Sequence, residues 1–449
     1  MRGLLLLLSI TALLIALYLG ALYGFTPYAT IQTEFADANR QIRPSVLPFA
    51  LTALSHSAVR YAMLRGTIVL VMGAAALCLF AIGARRGRHE FRRLAQETIR
   101  AFRSIAAFWR GLARSEQWTA GILLLLILGM RCWFLQHTAF NPDEMVSLDY
   151  FARPGPRIAA SFYQLPNNHI FYNVLGAFLL QIAPSNVNSE LLIRLPSFVI
   201  GLVSTAMVYA VLARLASFRV ATFSICCSQF FPMSVEYSIT ARGYGLQAAC
   251  VYALFLAIVV LLRGPAYHRV AWVVVIIASL SGLYLIPTFI YPLWSLGPGL
   301  LFGALSARQG RIQGAQTVVA GAGILLLGGL LYLPLGLLSG WHTLLANPYV
   351  ARLNTNEFWT LLGPYYLWDT LGALLGKQLI TVPLLLLLMS GGLALTRRWG
   401  TPRHWHVAAL AWIGVLGPLP LLALQRVFAP PRTLHYLVFF VVLLAALLF

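Results

Sequence analysis

The sequence predicts an all-α polytopic membrane protein with about 12 transmembrane helices, and three observations support that prediction. Hydrophobic residues make up 60% of the 449 residues and charged residues 10%, with a mean hydropathy of +0.80. A soluble domain carries about a quarter charged residues. Windows of about 20 apolar residues, which is the length that spans a bilayer core, recur along the chain. Arginine is concentrated in the short segments between those windows, as in chains whose basic loops stay cytoplasmic.

Twelve apolar windows define the predicted spans. They cover residues 4–24, 62–84, 118–137, 196–214, 219–235, 245–262, 270–289, 291–306, 315–336, 371–395, 406–424 and 434–449. The first window is longer than the apolar region of about 7–15 residues in a cleavable signal, so it is interpreted as an uncleaved span. The five cysteines lie within or beside apolar runs and lack CxxC spacing, which favours neither a disulfide framework nor a zinc site.

Residues 84–116 form the most basic block of the chain. Their apolar residues recur at near-helical spacing among arginines, which predicts an amphipathic helix on the anionic cytoplasmic leaflet. A topological anchor is favoured there over a dedicated partner site. We therefore divide the chain into residues 1–116, a two-span hairpin plus this helix, and residues 117–449, a second transmembrane domain. The net charge of +20 does not indicate nucleic-acid binding, because the arginines sit in short loops between spans.

The orientation of the later spans depends on the apolar run at residues 169–183. At about 15 residues it is too short to cross a bilayer, and we interpret it as a juxtamembrane helix on the outer face. With residues 84–116 inside, every later arginine cluster then also falls inside, which predicts a multi-pass protein of the cytoplasmic membrane. Seven of the 12 acidic residues then fall on the outer face: Asp143, Glu144, Asp149, Glu190, Glu236, Glu357 and Asp369.

Two adjacent carboxylates, Asp143 and Glu144, directly follow a predicted span. Ionisable groups at a membrane boundary are costly to bury and often functional. One carboxylate can act as a general base while its neighbour orients it or shares its proton. The alternative is a solvated pair that caps a short helix. A divalent metal at this pair is compatible with the residue types, although a carboxylate can act as a base with no cofactor required.

Further polar residues occur in three other outer-face segments. Asn168 and His169 begin the juxtamembrane helix and can hydrogen-bond hydroxyl or phosphate groups, whereas a structural role for the histidine is about equally expected. Arg242 and Tyr244 lie between two spans, where a guanidinium can bind phosphate oxygens or pair with Glu236.

Arg432 and His435 begin the final predicted span, where Arg432 can hold a lipid phosphate or mark the membrane boundary. Arg194 precedes Pro196 and is interpreted as part of the first turn of a span. Its side chain is then expected to snorkel to the membrane interface. The aromatic and asparagine-rich loop at residues 337–367 has two open interpretations, an interfacial belt or a platform that stacks on sugar rings.

Five stretches in this order, the last of them containing Arg432 and His435, resemble the GT-C fold glycosyltransferases, over residues 120–449. The motifs are "PDE" after a span, "NNH" before an outer helix, "RLPS" at the next span and "ARGYGL" further on. The resemblance is to the polyprenyl-phosphate-sugar-dependent branch, which includes protein O-mannosyltransferases and aminoarabinose transferases. It implies an inverting transmembrane transferase that takes one sugar from a polyprenyl-phosphate donor on the outer face.

The resemblance also implies roles for individual residues. Asp143 matches the usual base candidate, Glu144 its companion, and His169 the histidine that begins the outer helix. Arg432 and Tyr436 match a C-terminal "RY" element, which reads "RTLHY" here. The implied partners are the polyprenyl-phosphate-linked sugar, an acceptor glycan, lipid or protein, and the bilayer. A lipid-linked sugar flippase and a non-catalytic relative that supports envelope assembly are the competing interpretations.

Overall fold

The computed structural model describes residues 1–42, 56–164, 167–184, 186–306, 310–345, 352–376 and 402–448. Within these ranges every regular element is a helix, as the composition predicts. Nine helical segments there are long and apolar enough to cross a membrane. The chain is therefore an all-α multi-pass membrane protein. The predicted span at residues 371–395 lies largely outside the described residues.

The described residues of the N-terminal unit form four α-helices: α1 (Arg2–Tyr23), α2 (Tyr28–Gln41), α3 (Ala58–Ile82) and α4 (Ala84–Arg110). Helices α1 and α3 pack along each other and match the first two predicted spans. Helix α4 covers most of the predicted basic segment, with exposed arginines and a buried Glu97, and its place on a membrane leaflet stays a prediction. Helix α2 was not predicted, because its mixed polar composition resembles that of a loop.

The rest of the chain forms eighteen further α-helices within the described ranges. They are α5 (Arg114–His137), α6 (Pro142–Val146), α7 (Pro156–Ser161), α8 (Ile170–Ile182), α9 (Ser189–Leu215), α10 (Phe218–Phe230), α11 (Pro232–Tyr237), α12 (Tyr244–Arg263), α13 (His268–Leu285), α14 (Ile290–Leu305), α15 (Gly310–Leu331), α16 (Leu333–Leu335), α17 (Trp341–Leu345), α18 (Thr355–Pro364), α19 (Gly372–Leu375), α20 (Pro402–Leu416), α21 (Pro418–Gln425) and α22 (Leu437–Ala446).

Short π-helical and 3-10 segments join several of these helices. The π-helical segments are Ser147–Ala152, Gly336–Gly340 and Tyr365–Leu371, and the 3-10 segments are Pro265–Tyr267, Pro287–Phe289 and Pro431–Leu434. Helix α12 lies in the middle of the bundle, is mostly buried, and packs against α9, α13 and α14. Its first turn therefore projects from the bundle core toward the loops at one end.

Two predicted boundaries need correction. Helix α9 begins at Ser189, where the Asn188 side chain accepts hydrogen bonds from the next amides, so Pro196 lies inside the helix instead of in its first turn. The predicted span at residues 219–235 is two helices, α10 and α11, which break at Pro232 because proline lacks the backbone donor that continues a helix.

Helix α8 has 13 residues, which at about 1.5 Å per residue makes it shorter than a bilayer core of about 30 Å. It is not among the nine candidate membrane spans. Its start is tied to α9, since the Tyr172 hydroxyl donates to the Ile193 carbonyl at 2.5 Å. This length agrees with the prediction that residues 169–183 do not cross.

Salt bridges join the N-terminal unit to the rest of the chain at both of its ends. Beyond α1, the Arg157 guanidinium donates from Nε to both carboxylate oxygens of Glu34 in α2, at 3.1 and 2.9 Å. At the other end, Arg269 at the start of α13 donates to Glu90 at 2.8 Å and to Glu97 at 2.7 Å, both in α4. The N-terminal unit is thus joined by salt bridges to helices of the segment that begins at residue 117.

Candidate functional site

The candidate site lies where four segments that are distant in the sequence meet around Asp143. That residue stands in the first turn of α6, whose N-terminus is formed by Asn141 and Pro142. The Asn141 side chain accepts from the Glu144 amide at 2.9 Å, and the Asn141 amide donates to the Glu144 carboxylate at 3.1 Å. This reciprocal cap fixes the short helix. The predicted short helix is present, but Asn141 caps it and the Asp143 carboxylate is left 47% exposed.

Two guanidinium groups face the Asp143 carboxylate. Oδ2 lies 3.4 Å from Nη2 of Arg242 and 3.7 Å from Nη1 of Arg432, while Nδ2 of Asn167 donates to Oδ1 at 3.4 Å. Two positive groups around one carboxylate leave a local excess of one positive charge. The site can therefore hold an anion beside the half-exposed carboxylate, which suits phosphate because guanidinium binds its oxygens in a forked geometry.

Arg242 is held rigidly, whereas Arg432 is half-exposed. Arg242 is 2% exposed, donates to the Asp143 backbone carbonyl at 3.2 Å, and lies 5.5 Å from the Tyr244 ring centroid in a cation–π contact. The Arg432 side chain is 43% exposed at the surface of the cluster. The predicted alternative pairing of Arg242 with Glu236 is wrong, because its carboxylate partner is Asp143.

Glu144 points into the protein and is fully buried. Its carboxylate accepts from Nε and Nη2 of Arg194 at 2.8 and 2.7 Å, from the Ala241 amide at 2.6 Å, and from Asn141. Arg194 also donates to the carbonyls of Thr138 and Ala139 at 2.9 Å each. Glu144 and Arg194 thus clamp α5, α6, α9 and the start of α12 together. A catalytic role for Glu144 stays a prediction.

The predicted interpretation of Arg194 as a snorkelling anchor is wrong. Its side chain is 6% exposed and forms the fork-to-fork salt bridge with Glu144. The sequence carried no direct signal for this, because the two residues are 50 positions apart. The available sign of such a salt bridge was an isolated arginine in a chain whose few acidic residues include one adjacent pair.

His169 and the glycine of "ARGYGL" are in close contact. The Gly243 amide donates to Nδ1 of His169 at 3.2 Å, and a Cβ on Gly243 would lie 2.6 Å from that nitrogen, so only glycine permits the approach. Burial, with Arg242 and Arg432 nearby, holds the pKa of His169 well below its ordinary value. The ring is therefore neutral at physiological pH, with its proton on Nε2.

The aromatic ring of Tyr244 completes this part of the site. It meets the His169 ring edge-to-face, with centroids 4.7 Å apart, and packs against Tyr237 at 4.8 Å. His435 packs on the other side of Tyr237 at 5.2 Å and is buried. The predicted residues Tyr244, His169 and His435 thus form an aromatic wall behind the arginines.

Asn168 and Tyr436 are directed away from Asp143. Asn168 is buried, donates to the carbonyls of Ala159 and Phe162 at 3.0 and 2.9 Å, and accepts from Asn173 at 2.9 Å. Tyr436 is fully buried and packs edge-to-face on Phe440. The neighbouring Asn167, which was not singled out, is the amide that reaches Asp143. Adjacent residues at a helix start point in different directions, so sequence alone does not choose between them.

In the described part of the aromatic loop at residues 337–367, some aromatic side chains are buried and others are exposed. Tyr365 and Tyr366 are buried, and Tyr365 stacks on Phe428 with centroids 4.1 Å apart, so these two belong to the core. Trp341 and Trp359 are 45% and 59% exposed. The described part of this loop therefore leaves its tryptophans available at a surface.

The acidic pair does not fit a divalent metal. Glu144 has its oxygens occupied by four donors, so a cation near Asp143 would meet one carboxylate and two guanidinium groups. Divalent cations of this kind are held by several oxygen ligands. Across the described ranges, no three His, Cys, Asp or Glu side chains are grouped closely enough to hold a metal.

Comparisons with known proteins give weak similarity. A scan against protein-family models found no match. A search of curated proteins also found none. Among solved structures, the arabinosyltransferase EmbB from Mycobacterium smegmatis, determined by cryo-EM, is similar over 87% of this chain and 34% of its own, with 15% identity and a TM-score of 0.45. The chain spans about a third of the length of that protein. A likeness this weak carries no argument here, and the case for function rests on the site.

Proposed function

We propose that the chain is a membrane glycosyltransferase. In this proposal it moves a single sugar, with inversion, from a polyprenyl-phosphate-linked donor to an extracytoplasmic acceptor hydroxyl or other nucleophile on a glycolipid, polysaccharide or protein. One observation supports it above the others: the exposed Asp143 carboxylate lies within 4 Å of two guanidinium groups. Sugar transfer from a lipid phosphate needs a proton acceptor and an anion-stabilising group at the same place.

The proposed step is a direct displacement at the anomeric carbon. The acceptor hydroxyl gives its proton to Asp143 as its oxygen forms the new glycosidic bond. The bond between the anomeric carbon and the phosphate oxygen breaks, and polyprenyl phosphate leaves with the bonding electron pair. The transition state has oxocarbenium character, as in glycoside hydrolysis. Arg242 and Arg432 stabilise the charge that develops on the leaving phosphate.

The environment of Glu144 supports inversion. A retaining displacement uses a second carboxylate as nucleophile, about 5 Å from the first. Glu144 is the carboxylate next in the chain, and its oxygens are occupied by Arg194, Ala241 and Asn141. Asp143 is thus left as a single base, which fits one displacement. We propose that Glu144 positions α6 and that His169, being neutral, offers a hydrogen bond and no positive charge.

A flippase for lipid-linked sugar is the second candidate, and Arg131 is the observation that favours it. This arginine lies within the predicted span α5, is 2% exposed, and donates to Thr205 at 3.2 Å and to Gln229. In the described part of the chain it has no carboxylate within salt-bridge distance. Ionisable groups inside a membrane often mark transport paths. Asp143, Arg242 and Arg432 instead gather at one end of the bundle, which favours transfer.

One assay separates the two candidates. The purified chain is reconstituted in liposomes with a radiolabelled polyprenyl-phosphate sugar and an envelope extract that supplies acceptors. A transferase attaches label to the extract and frees polyprenyl phosphate. A flippase moves labelled donor across the bilayer and leaves the sugar on its lipid. Translocation without transfer, with several donor sugars, would replace the proposal with the second candidate.

A further inference from the structure

A separate basic cavity lies in the N-terminal unit, away from Asp143. The start of α1, the end of α3 and the start of α4 enclose a volume of about 470 Å³. Three arginines line it: Arg2, Arg85 and Arg86. Its remaining wall includes apolar side chains from the ends of the two membrane helices: Leu5, Ala81 and Ile82. A basic rim over an apolar wall is the composition expected of a lipid headgroup site.

The charge of this cavity is not neutralised within the described residues. Its one acidic wall residue is Glu90, whose carboxylate accepts from Nε of Arg269 at 2.8 Å. His89 lies 3.8 Å from the same carboxylate. Within the described ranges, Arg2, Arg85 and Arg86 form no salt bridge with a carboxylate. Three exposed guanidinium groups therefore face one cavity and lack a counterion from this part of the chain.

The surroundings favour a lipid over a free anion. The outer face of α3 next to the cavity is apolar and exposed, with Leu77 70% and Phe80 86% exposed. Acyl chains can cover that face while the headgroup enters the cavity. Arginine binds phosphate oxygens in a forked geometry. We propose that this cavity binds the phosphate of an anionic phospholipid of the phosphatidylglycerol type, in the leaflet at the α3–α4 end of the hairpin. The proposal is independent of the chemistry at Asp143.

Native mass spectrometry of the full-length detergent-solubilised chain tests the site. The protein is titrated with phosphatidylglycerol or phosphatidylcholine, and the lipid-bound fraction is measured. The test variant is Arg85→Ala with Arg86→Ala, and the matched control is Arg88→Ala with Arg92→Ala on the same helix. We expect wild type to prefer phosphatidylglycerol, and the test variant to bind it about 30-fold more weakly, from two arginine contacts. The control should bind like wild type.

Three outcomes would overturn the proposal. Equal binding of the two lipids would show that the cavity does not select lipids by the charge of the headgroup. An equal loss in the Arg88 and Arg92 control would show that net charge, and not the cavity, attracts the lipid. Displacement of phosphatidylglycerol by millimolar inorganic phosphate alone would assign the site to free anions. The melting temperature of each variant is measured as well, and Arg85→Lys with Arg86→Lys replaces a test variant that unfolds.

Discussion

The carboxylate of Asp143 lies 3.4 Å from the guanidinium of Arg242, although 99 positions separate them in the chain. Arg242 stands at the entry to the central helix α12, and Asp143 in the first turn of a short helix that follows a span. This relationship gives one place in the molecule both a proton acceptor and an anion-binding group. The predictions below test each side of it.

Removal of the Arg242 guanidinium should impair use of the lipid-phosphate donor. Because this buried arginine is proposed to stabilise the leaving phosphate, we expect Arg242→Ala to lower kcat/KM for the donor by roughly 10²–10³. Steady-state kinetics with donor and acceptor varied separately measure this. Arg153→Ala is the matched control, since Arg153 is exposed and pairs with Asp149 at 2.5 Å. Equal kcat/KM values for the donor in the two variants would show that Arg242 does not act on the leaving phosphate.

We expect the salt bridge between Glu144 and Arg194 to contribute primarily to the stability of the fold, and only secondarily to catalysis. Glu144→Gln leaves the buried Arg194 charge without its partner, and breaking such a pair costs about 3–5 kcal/mol. We expect a large drop in melting temperature and in the monodisperse fraction on gel filtration. Glu190→Gln, at an exposed position on α9, is the control and should behave like wild type. A Glu144→Gln protein with wild-type stability would contradict this account of the clamp.

Acid should destabilise the fold through His169. Its folded-state pKa lies well below the unfolded value of about 6.5, so the unfolded chain binds the proton first. Stability is therefore full above pH of about 6.5 and falls below it, by about 1.4 kcal/mol per pH unit for this group.

His169→Asn keeps an acceptor for the Gly243 amide and removes the titration. The loss of melting temperature between pH 7.5 and pH 5.5 should be smaller in this variant than in wild type. An unchanged acid sensitivity in His169→Asn would show that another group controls it.

The two ends of the bundle should face opposite sides of the membrane. Asp143 and Arg432 lie 3.7 Å apart and so share a side, while α4 lies at the other end of α5. In a variant without the five native cysteines, Arg153→Cys should react with an impermeant maleimide in intact cells and Arg88→Cys should not. Labelling of both from the same side would refute the proposed topology.

Most of the membrane architecture follows from the sequence, since apolar length alone predicts spans. Nine of the predicted spans correspond to candidate membrane helices, whereas α2 was missed because its composition is polar. Helix α10, and the break before α11, show that a proline can divide an apolar window that hydropathy reads as continuous.

The site was partly predictable for a different reason. Residue type and boundary position identified Asp143, Arg242, Arg432 and His169, and the structure brings them together. The direction in which each side chain points was not predictable. The Asn167 side chain reaches Asp143, while the Asn168 side chain donates to backbone carbonyls. The partner of Glu144 also needed three-dimensional information, since Arg194 comes from a separate helix.

The most direct test of the central claim is sugar transfer by purified Asp143→Asn protein. Transfer from a radiolabelled polyprenyl-phosphate sugar is compared among wild type, Asp143→Asn and Asp149→Asn, where Asp149 is an exposed carboxylate six residues further along. If Asp143 is the single base, the transfer rate of Asp143→Asn should fall by about 10²-fold or more while its melting temperature stays that of wild type. Asp149→Asn should stay active. Wild-type transfer rates in folded Asp143→Asn protein would contradict the account.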